Sequence, residues 1–167
     1  MLKNPILTIR FNEETWNENC VYRQKYPKVA CIYGSKCELN EKYDLKSLFF
    51  VIEMNNTLNR IEGIGLIQNK SYIYDKNYSF YTNDNYNRYI YKGSFRLDRD
   101  FLLLNNSRLV DILDNTLFQG KNHFKRGIGF MKLTEKIFLK ELYLLFEKEE
   151  DLKREITRMF KLLNSMG

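Results

Sequence analysis

Residues 47–68 read SLFFVIEMNNTLNRIEGIGLIQ, and this stretch decides the fold that we expect. Its first part, Ser47–Met54, is rich in aromatic and branched residues, and its last part, Arg60–Gln68, alternates in the way of a strand. The five residues between them are typical of a turn, so the stretch predicts a β-hairpin. Gly63 and Gly65 share one face of the second strand, where bare backbone lets another chain or a flat ligand approach closely.

Outward from this hairpin, the same patterns predict further strands and helices. The predicted strands are Ile6–Phe11, Val29–Tyr33, Arg88–Leu97 and Ile128–Leu133. We expect a short helix over Thr15–Asn19 with Asn12 as its N-cap, and another from Ser107 to Leu117 with one apolar face. Residues 71–92 hold a strand and then a polar loop, and they are rich in aromatic side chains: Tyr72, Tyr74, Tyr78, Phe80, Tyr81, Tyr86, Tyr89 and Tyr91.

The C-terminal segment carries a heptad seam. Its members are spaced alternately four and three residues apart: Phe138, Leu142, Leu145, Glu149, Leu152, Ile156, Met159 and Leu163. Either one long helix begins after Thr134, or the acidic run Glu147–Asp151 separates two helices. The seam can dock on the rest of the chain, or residues 138–163 can bind a protein partner or a second copy. We place a domain over residues 1–146 and a helical extension over residues 147–167.

The positive charge is concentrated in the middle of the chain. The formal net charge is +6, and residues 86–132 alone hold nine basic and four acidic side chains. Such clustering suits a surface that binds a polyanion, because each phosphate contact releases counterions and adds affinity. The alternative is a solvated surface with a chance imbalance. Tyrosines interleaved with cations suit base stacking, although tyrosine also packs well in half-buried sheets.

The sequence offers few groups for metal binding or catalysis. The chain has three cysteines, Cys20, Cys31 and Cys37, and one histidine, His123, and they lack the pair spacing of a zinc site. We therefore predict that the cysteines are buried free thiols and that the protein lies in a reducing, intracellular compartment. No motif of a hydrolase, an ATPase or a metalloprotease is present, so we predict no enzyme, no cofactor and no metal. The apolar runs are too short for a membrane span, and the N-terminus lacks the pattern of a signal peptide.

Three places in the chain resemble the PUA-like superfamily, in particular its EVE and YTH domains. Residues 32–35 (IYGS) look like the strand end that lines the ligand pocket. The hairpin residues 48–50 and 61–65 look like the central hairpin of these barrels, and residues 118–121 with 130–135 look like the last loop, strand and helix start of EVE domains. The resemblance covers about residues 5–140. It implies an α+β fold, a small mixed β-barrel with flanking helices and a long C-terminal helix, that binds RNA or a flipped, modified base.

The leading hypothesis is therefore a non-enzymatic protein that binds RNA or DNA. The resemblance implies a base pocket walled by Tyr33 and Ser35, to which Trp16 or neighbouring tyrosines would add a wall. Phosphates would be bound by basic side chains: Arg88, Lys92, Arg96, Arg99, Lys121, Lys125 and Arg126, together with His123. The first alternative is a structural or assembly protein, such as a viral one, that uses the heptad helix. The second is a small nuclease in which His123 is the base.

Overall fold

The structure is a computed structural model that describes residues 3–39, 43–73, 79–138 and 141–167. The strands are β1 (Leu7–Phe11), β2 (Cys31–Ser35), β3 (Leu48–Asn55), β4 (Arg60–Gln68), β5 (Tyr72–Ile73), β6 (Tyr89–Gly93), β7 (Phe95–Asp98) and β8 (Met131–Lys132). The helices are α1 (Glu13–Lys25), α2 (Arg99–Phe118), α3 (Glu135–Phe138) and α4 (Glu149–Ser165). Tyr74, Tyr78 and the side chain of Phe138 lie outside the described part.

The predicted hairpin is confirmed and forms the centre of the larger of two sheets. β3 and β4 pair antiparallel, with an irregularity between Glu53 and Met54. β1 lies parallel to β3, which places Leu7 beside Val51, and the strand order of this large sheet is β7-β4-β3-β1-β8. The predicted strand Ile128–Leu133 shortens to β8, because only Met131 and Lys132 pair with β1.

The small sheet has the order β2-β6-β5, and its strand β6 leads directly into β7 of the large sheet. The single strand predicted over Arg88–Leu97 divides after Gly93: β6 pairs with β2, whereas β7 pairs with β4. A Cβ atom on Gly93 would overlap the Leu66 carbonyl, so the backbone crosses directly against β4. A strand that switches sheets at a corner is typical of packed β-sheets. The described strands form these two sheets and do not close into a barrel. The α+β class is confirmed, because the chain combines these sheets with helices.

The large sheet separates two hydrophobic cores. Alternate side chains of β3 point to opposite faces. Phe50 and Ile52 lie in a core with Leu113 of α2 and Ile156 of α4, whereas Phe49 and Val51 face the small sheet, among side chains of β1, β2 and β6. The molecule is therefore layered as helices, large sheet and small sheet.

The helices differ from prediction mainly in length. Asn12 does cap α1, in a capping box with Thr15, but the helix continues to Lys25 instead of ending at Asn19. α2 begins eight residues before the predicted start, where Asp98 accepts a hydrogen bond from the Phe101 N–H. Non-helical backbone at Asn106 kinks it, and Asn106, rather than the predicted Ser107, caps the second half.

The C-terminal helix is not continuous, and its seam is buried. A short 3-10 turn (Leu142–Leu144) separates α3 from α4, which starts within the acidic run. Four side chains of the seam are fully buried: Leu142, Leu152, Ile156 and Met159. Leu145 and Leu163 pack against the same core. The seam is therefore not an open surface for a partner, and residues on both sides of the predicted boundary after residue 146 share one core. Within the described residues, every helix is too short or too polar to cross a lipid bilayer.

Candidate functional site

A small cavity opens where the C-terminal end of β2 meets the first turn of α1. It has a volume of about 220 Å³, and we call it the ring pocket. Two tyrosines, Tyr81 and Tyr86, form its aromatic side, and Lys36 and Lys125 contribute cations to its lining. The other lining residues include three glycines and four short polar side chains, and together they are Ile9, Arg10, Phe11, Asn12, Thr15, Gly34, Ser35, Asn56, Gly127, Ile128 and Gly129.

The aromatic side of the ring pocket is positioned by a buried asparagine. Asn87 accepts hydrogen bonds from the N–H groups of Phe80 and Tyr81, at 3.2 and 3.0 Å, and donates to the Tyr81 carbonyl at 2.7 Å. These bonds fold residues 80–87 into a closed loop. Asn87 is fully buried, so these bonds satisfy a polar side chain that water does not reach.

Gly34 lets this loop approach β2. A Cβ atom there would overlap the Tyr86 carbonyl and lie 2.7 Å from Cε2 of Tyr81. Tyr81 is only 4% exposed, and burial raises the pKa of its phenol well above the usual value, so the group stays neutral. The Tyr86 ring lies edge-on to Tyr81, with centroids 5.9 Å apart, and the Lys36 Nζ lies 5.2 Å from the Tyr86 centroid.

The opposite side of the ring pocket is the basic loop, residues 119–130, held in place by β1. The Arg10 guanidinium donates to the carbonyls of Phe124 and Gly129, at 3.2 and 2.6 Å. Asn56 Nδ2 donates to the Lys125 carbonyl at 2.9 Å. Burial lowers the pKa of Arg10 to about 10, so it remains charged at neutral pH. These bonds fix Lys125 in the pocket lining.

Two buried polar atoms beside the ring pocket have no hydrogen-bond partner among the described residues. They are Nε of Arg10, a donor, and Oδ1 of Asn56, an acceptor. Unsatisfied buried polar atoms are rare in folded proteins, and they call for an explanation when they occur. Both belong to residues that line the cavity, so an unpaired donor and an unpaired acceptor belong to its lining residues.

Of the predicted base-pocket residues, only Ser35 lines the ring pocket. Its hydroxyl also bonds the backbone of Cys37, donating to the carbonyl at 2.6 Å. Tyr33 is fully buried between the sheets, and its hydroxyl donates to Glu53 at 2.7 Å. Trp16 lies outside the ring pocket, with the guanidinium carbons of Arg23 and Arg96 at 5.3 and 5.7 Å from its ring. Neither Tyr33 nor Trp16 therefore lines the ring pocket.

Arg96 and Arg99 have structural partners rather than a free cationic surface. Arg96 binds the fully buried Glu53 through both Nε and Nη2, the latter at 2.7 Å. Arg99 binds Asp114 at 2.8 Å. Each of these guanidinium groups is therefore paired with a carboxylate of the chain itself.

The other predicted cations fall into two groups. Lys121 and Arg126 are exposed on the basic loop near Lys125, and Nδ1 of His123 accepts a hydrogen bond from the Lys125 N–H at 3.2 Å. Arg88 and Lys92 lie instead beside the small sheet. The Arg88 guanidinium is 5.8 Å from the Tyr89 ring, and the Lys92 Nζ is 5.5 Å from the Tyr22 ring. The structure thus brings Ser35 and the basic loop together and leaves Arg88 and Lys92 apart.

The cysteines do not form a common site. All three are free thiols; Cys31 is buried, Cys20 is partly buried and Cys37 is exposed, so the prediction of buried thiols is wrong for Cys37. Among the residues that the structure describes, no three His, Cys, Asp or Glu side chains are grouped so that they could hold a metal ion.

Comparisons of the chain with models of protein families, with curated proteins and with solved structures find no match.

Proposed function

We propose that the protein binds single-stranded nucleic acid and takes one unstacked base into the ring pocket. The observation that carries this proposal is the pairing of Tyr81 and Tyr86 with Lys36 and Lys125 around one cavity. Aromatic faces stack on bases, and lysines bind the phosphates on either side of the base. No covalent step is part of the proposal, which describes a binding protein and not an enzyme.

The size of the ring pocket favours a single planar group. Pockets for drug-sized ligands generally measure about 300–1,000 Å³, and this one measures about 220 Å³. A base enters such a cavity only when it is unstacked and unpaired, as in a single strand, a loop or a flipped nucleotide. The pocket therefore selects single-stranded segments over an intact duplex.

The distribution of charge supports the same ligand. The exposed Lys121 and Arg126 lie on the loop that carries Lys125, outside the lining of the pocket. A phosphate backbone that leaves the pocket can pass along this loop, and each phosphate contact adds affinity that salt weakens. The kinship with PUA-like domains is likewise a proposal, supported by the motifs of the hairpin and of β2 and by a pocket at the end of β2.

A fluorescence titration with labelled single-stranded RNA and DNA, at about 50 and about 200 mM salt, tests the proposal. We expect the wild type to bind more weakly at the higher salt. The plot of log K against log salt has a negative slope. Lys36→Gln and Lys125→Gln should each make this slope less steep by about 0.7, the value for one phosphate of a single strand.

Lys161→Gln is the matched control, because Lys161 is exposed on α4. It should leave the slope unchanged. Absence of binding at low salt, or binding that salt does not weaken, would contradict the proposed function.

A further inference from the structure

A second aromatic surface lies at the other end of α1, outside the ring pocket. We call it the aromatic platform: the rings of Tyr22, Tyr26 and Phe80, with Lys25 and Lys92 beside them. The Tyr22 centroid lies 4.7 Å from that of Tyr26 and 5.3 Å from that of Phe80. The platform borders an open cleft of about 840 Å³.

Exposed apolar side chains distinguish the platform from a core. Tyr26 is 43% exposed, and Val21, which lines the same cleft, is 64% exposed. Folding alone gives no reason to gather large apolar groups in water, and such patches usually mark interaction sites. The platform is therefore a candidate binding surface.

The charges on the platform favour an anionic ligand with flat groups. The Lys25 Nζ lies 5.5 Å from the Tyr26 centroid, and the Lys92 Nζ lies 5.5 Å from that of Tyr22. Among the described residues that line the cleft, the one carboxylate is that of Glu18, and it accepts hydrogen bonds from the N–H and the hydroxyl of Thr82. Stacked aromatic rings beside lysines form the kind of surface on which single-stranded nucleic acid binds with little sequence preference.

The platform and the ring pocket are neighbours. Phe80 belongs to the platform and Tyr81 to the pocket, and their centroids are only 4.0 Å apart. Along α1, Thr15 lines the pocket and Tyr22 the platform, so seven residues, or about 10 Å at 1.5 Å per residue, separate the two sites. Successive nucleotides of a stacked strand are about 3.4 Å apart, so about three nucleotide steps cover this distance.

We infer that the aromatic platform is a second nucleotide subsite, on which bases of the strand stack while another base occupies the ring pocket. This inference rests on the proposed function and makes it more specific: the ligand is a single strand of at least about four nucleotides, the lower end of the usual site size of single-strand-binding folds. The occupant of the platform is thus the same strand, not a separate protein.

The test compares strands of about two and about eight nucleotides, with the short strand followed by chemical-shift changes so that weak binding is measurable. The wild type should bind the longer strand more tightly. Tyr26→Ala should weaken binding of the longer strand by about five- to a hundredfold and leave the short strand unaffected. Tyr86→Ala should weaken binding of both strands, and Tyr26→Phe should behave like the wild type.

Each other outcome has a definite meaning. Equal affinity for the longer strand in the wild type and in Tyr26→Ala would overturn the inference, as would an equal loss for both lengths. If both strands bind, salt weakens the binding and length has no effect, the ring-pocket proposal stands and the platform proposal fails. If neither strand binds, the proposed function fails, and the platform subsite with it. Circular dichroism of each variant confirms that it is folded.

Discussion

Glu53 illustrates at the scale of single residues how the two sheets are joined. Its carboxylate is fully buried, yet it accepts hydrogen bonds from Tyr33 across the sheets and from Arg96 within the large sheet. The bare face of β4 makes this possible: a Cβ atom on Gly65 would overlap the Tyr33 hydroxyl, and one on Gly63 would lie 2.9 Å from the Glu53 carboxylate. The close approach expected at these glycines is made by the chain itself.

The same cluster makes stability depend on pH in alkaline solution. The pKa of the Cys31 thiol is raised to about 12, mainly by burial. Burial is also the main reason why the pKa of Tyr33 lies well above its usual value. The unfolded thiol ionises near pH 9, whereas the folded thiol keeps its proton, so the free energy of unfolding decreases as the pH rises from about 9 to about 12.

Urea unfolding at pH 8 and at pH 10.5 measures this effect. Cys31→Ala should be less stable than the wild type at pH 8, because it leaves a cavity, and should lose less stability between the two pH values. Cys37→Ala is the control, since Cys37 is exposed. It should lose as much as the wild type, and the same decrease in Cys31→Ala would contradict the assigned cause.

At the scale of elements, α2 shows what an interior cap does. Its backbone leaves the helical region at Asn106, where Oδ1 accepts a hydrogen bond from the Leu109 N–H and Nδ2 donates to Glu155 of α4 at 3.0 Å. The side chain therefore starts the second half of α2 and ties it to α4. The apolar spacing predicted the second half correctly, but it did not reveal the first half, which Asp98 starts.

Asn106→Ala should lower the free energy of unfolding by about 1–2 kcal/mol, because it removes the cap. Chemical denaturation of the wild type and the variant gives this difference. The exposed Asn115 of the same helix is the control, and Asn115→Ala should be neutral or slightly stabilising, because alanine favours helix. Equal stability of Asn106→Ala and the wild type would show that the cap does not stabilise the protein.

The C-terminal seam shows where sequence reasoning is limited at this scale. A spacing of three and four residues describes a helix with one apolar face, whether that face meets another helix or a sheet. Ile156 and Met159 face the core beneath the large sheet, so the pattern was real and its partner lies within the chain. Only the tertiary structure distinguishes these two cases.

At the scale of the whole molecule, the local patterns predicted the class of fold but little of the site. The hairpin, the strand β1 and the cap at Asn12 follow from neighbouring residues, and they were predicted. The ring pocket depends on Arg10 and Asn56, whose hydrogen bonds join distant parts of the chain, and on Asn87, which bonds within its own loop. Alternation shows which side chains of a strand share a face, but not which face meets a second sheet, so the burial of Tyr33 between the sheets could not be predicted from the sequence.

The central claim is that the rings and the cations of the ring pocket act on one ligand. The most direct measurement is the affinity for a labelled single strand of the wild type, Tyr86→Ala and Tyr86→Phe, with the exposed Tyr143→Ala as control. We predict that Tyr86→Ala binds about five- to a hundredfold more weakly, the loss of one base stack, and that Tyr86→Phe and Tyr143→Ala keep the wild-type affinity. Unchanged affinity of Tyr86→Ala, or an equal loss in Tyr143→Ala, would contradict the claim.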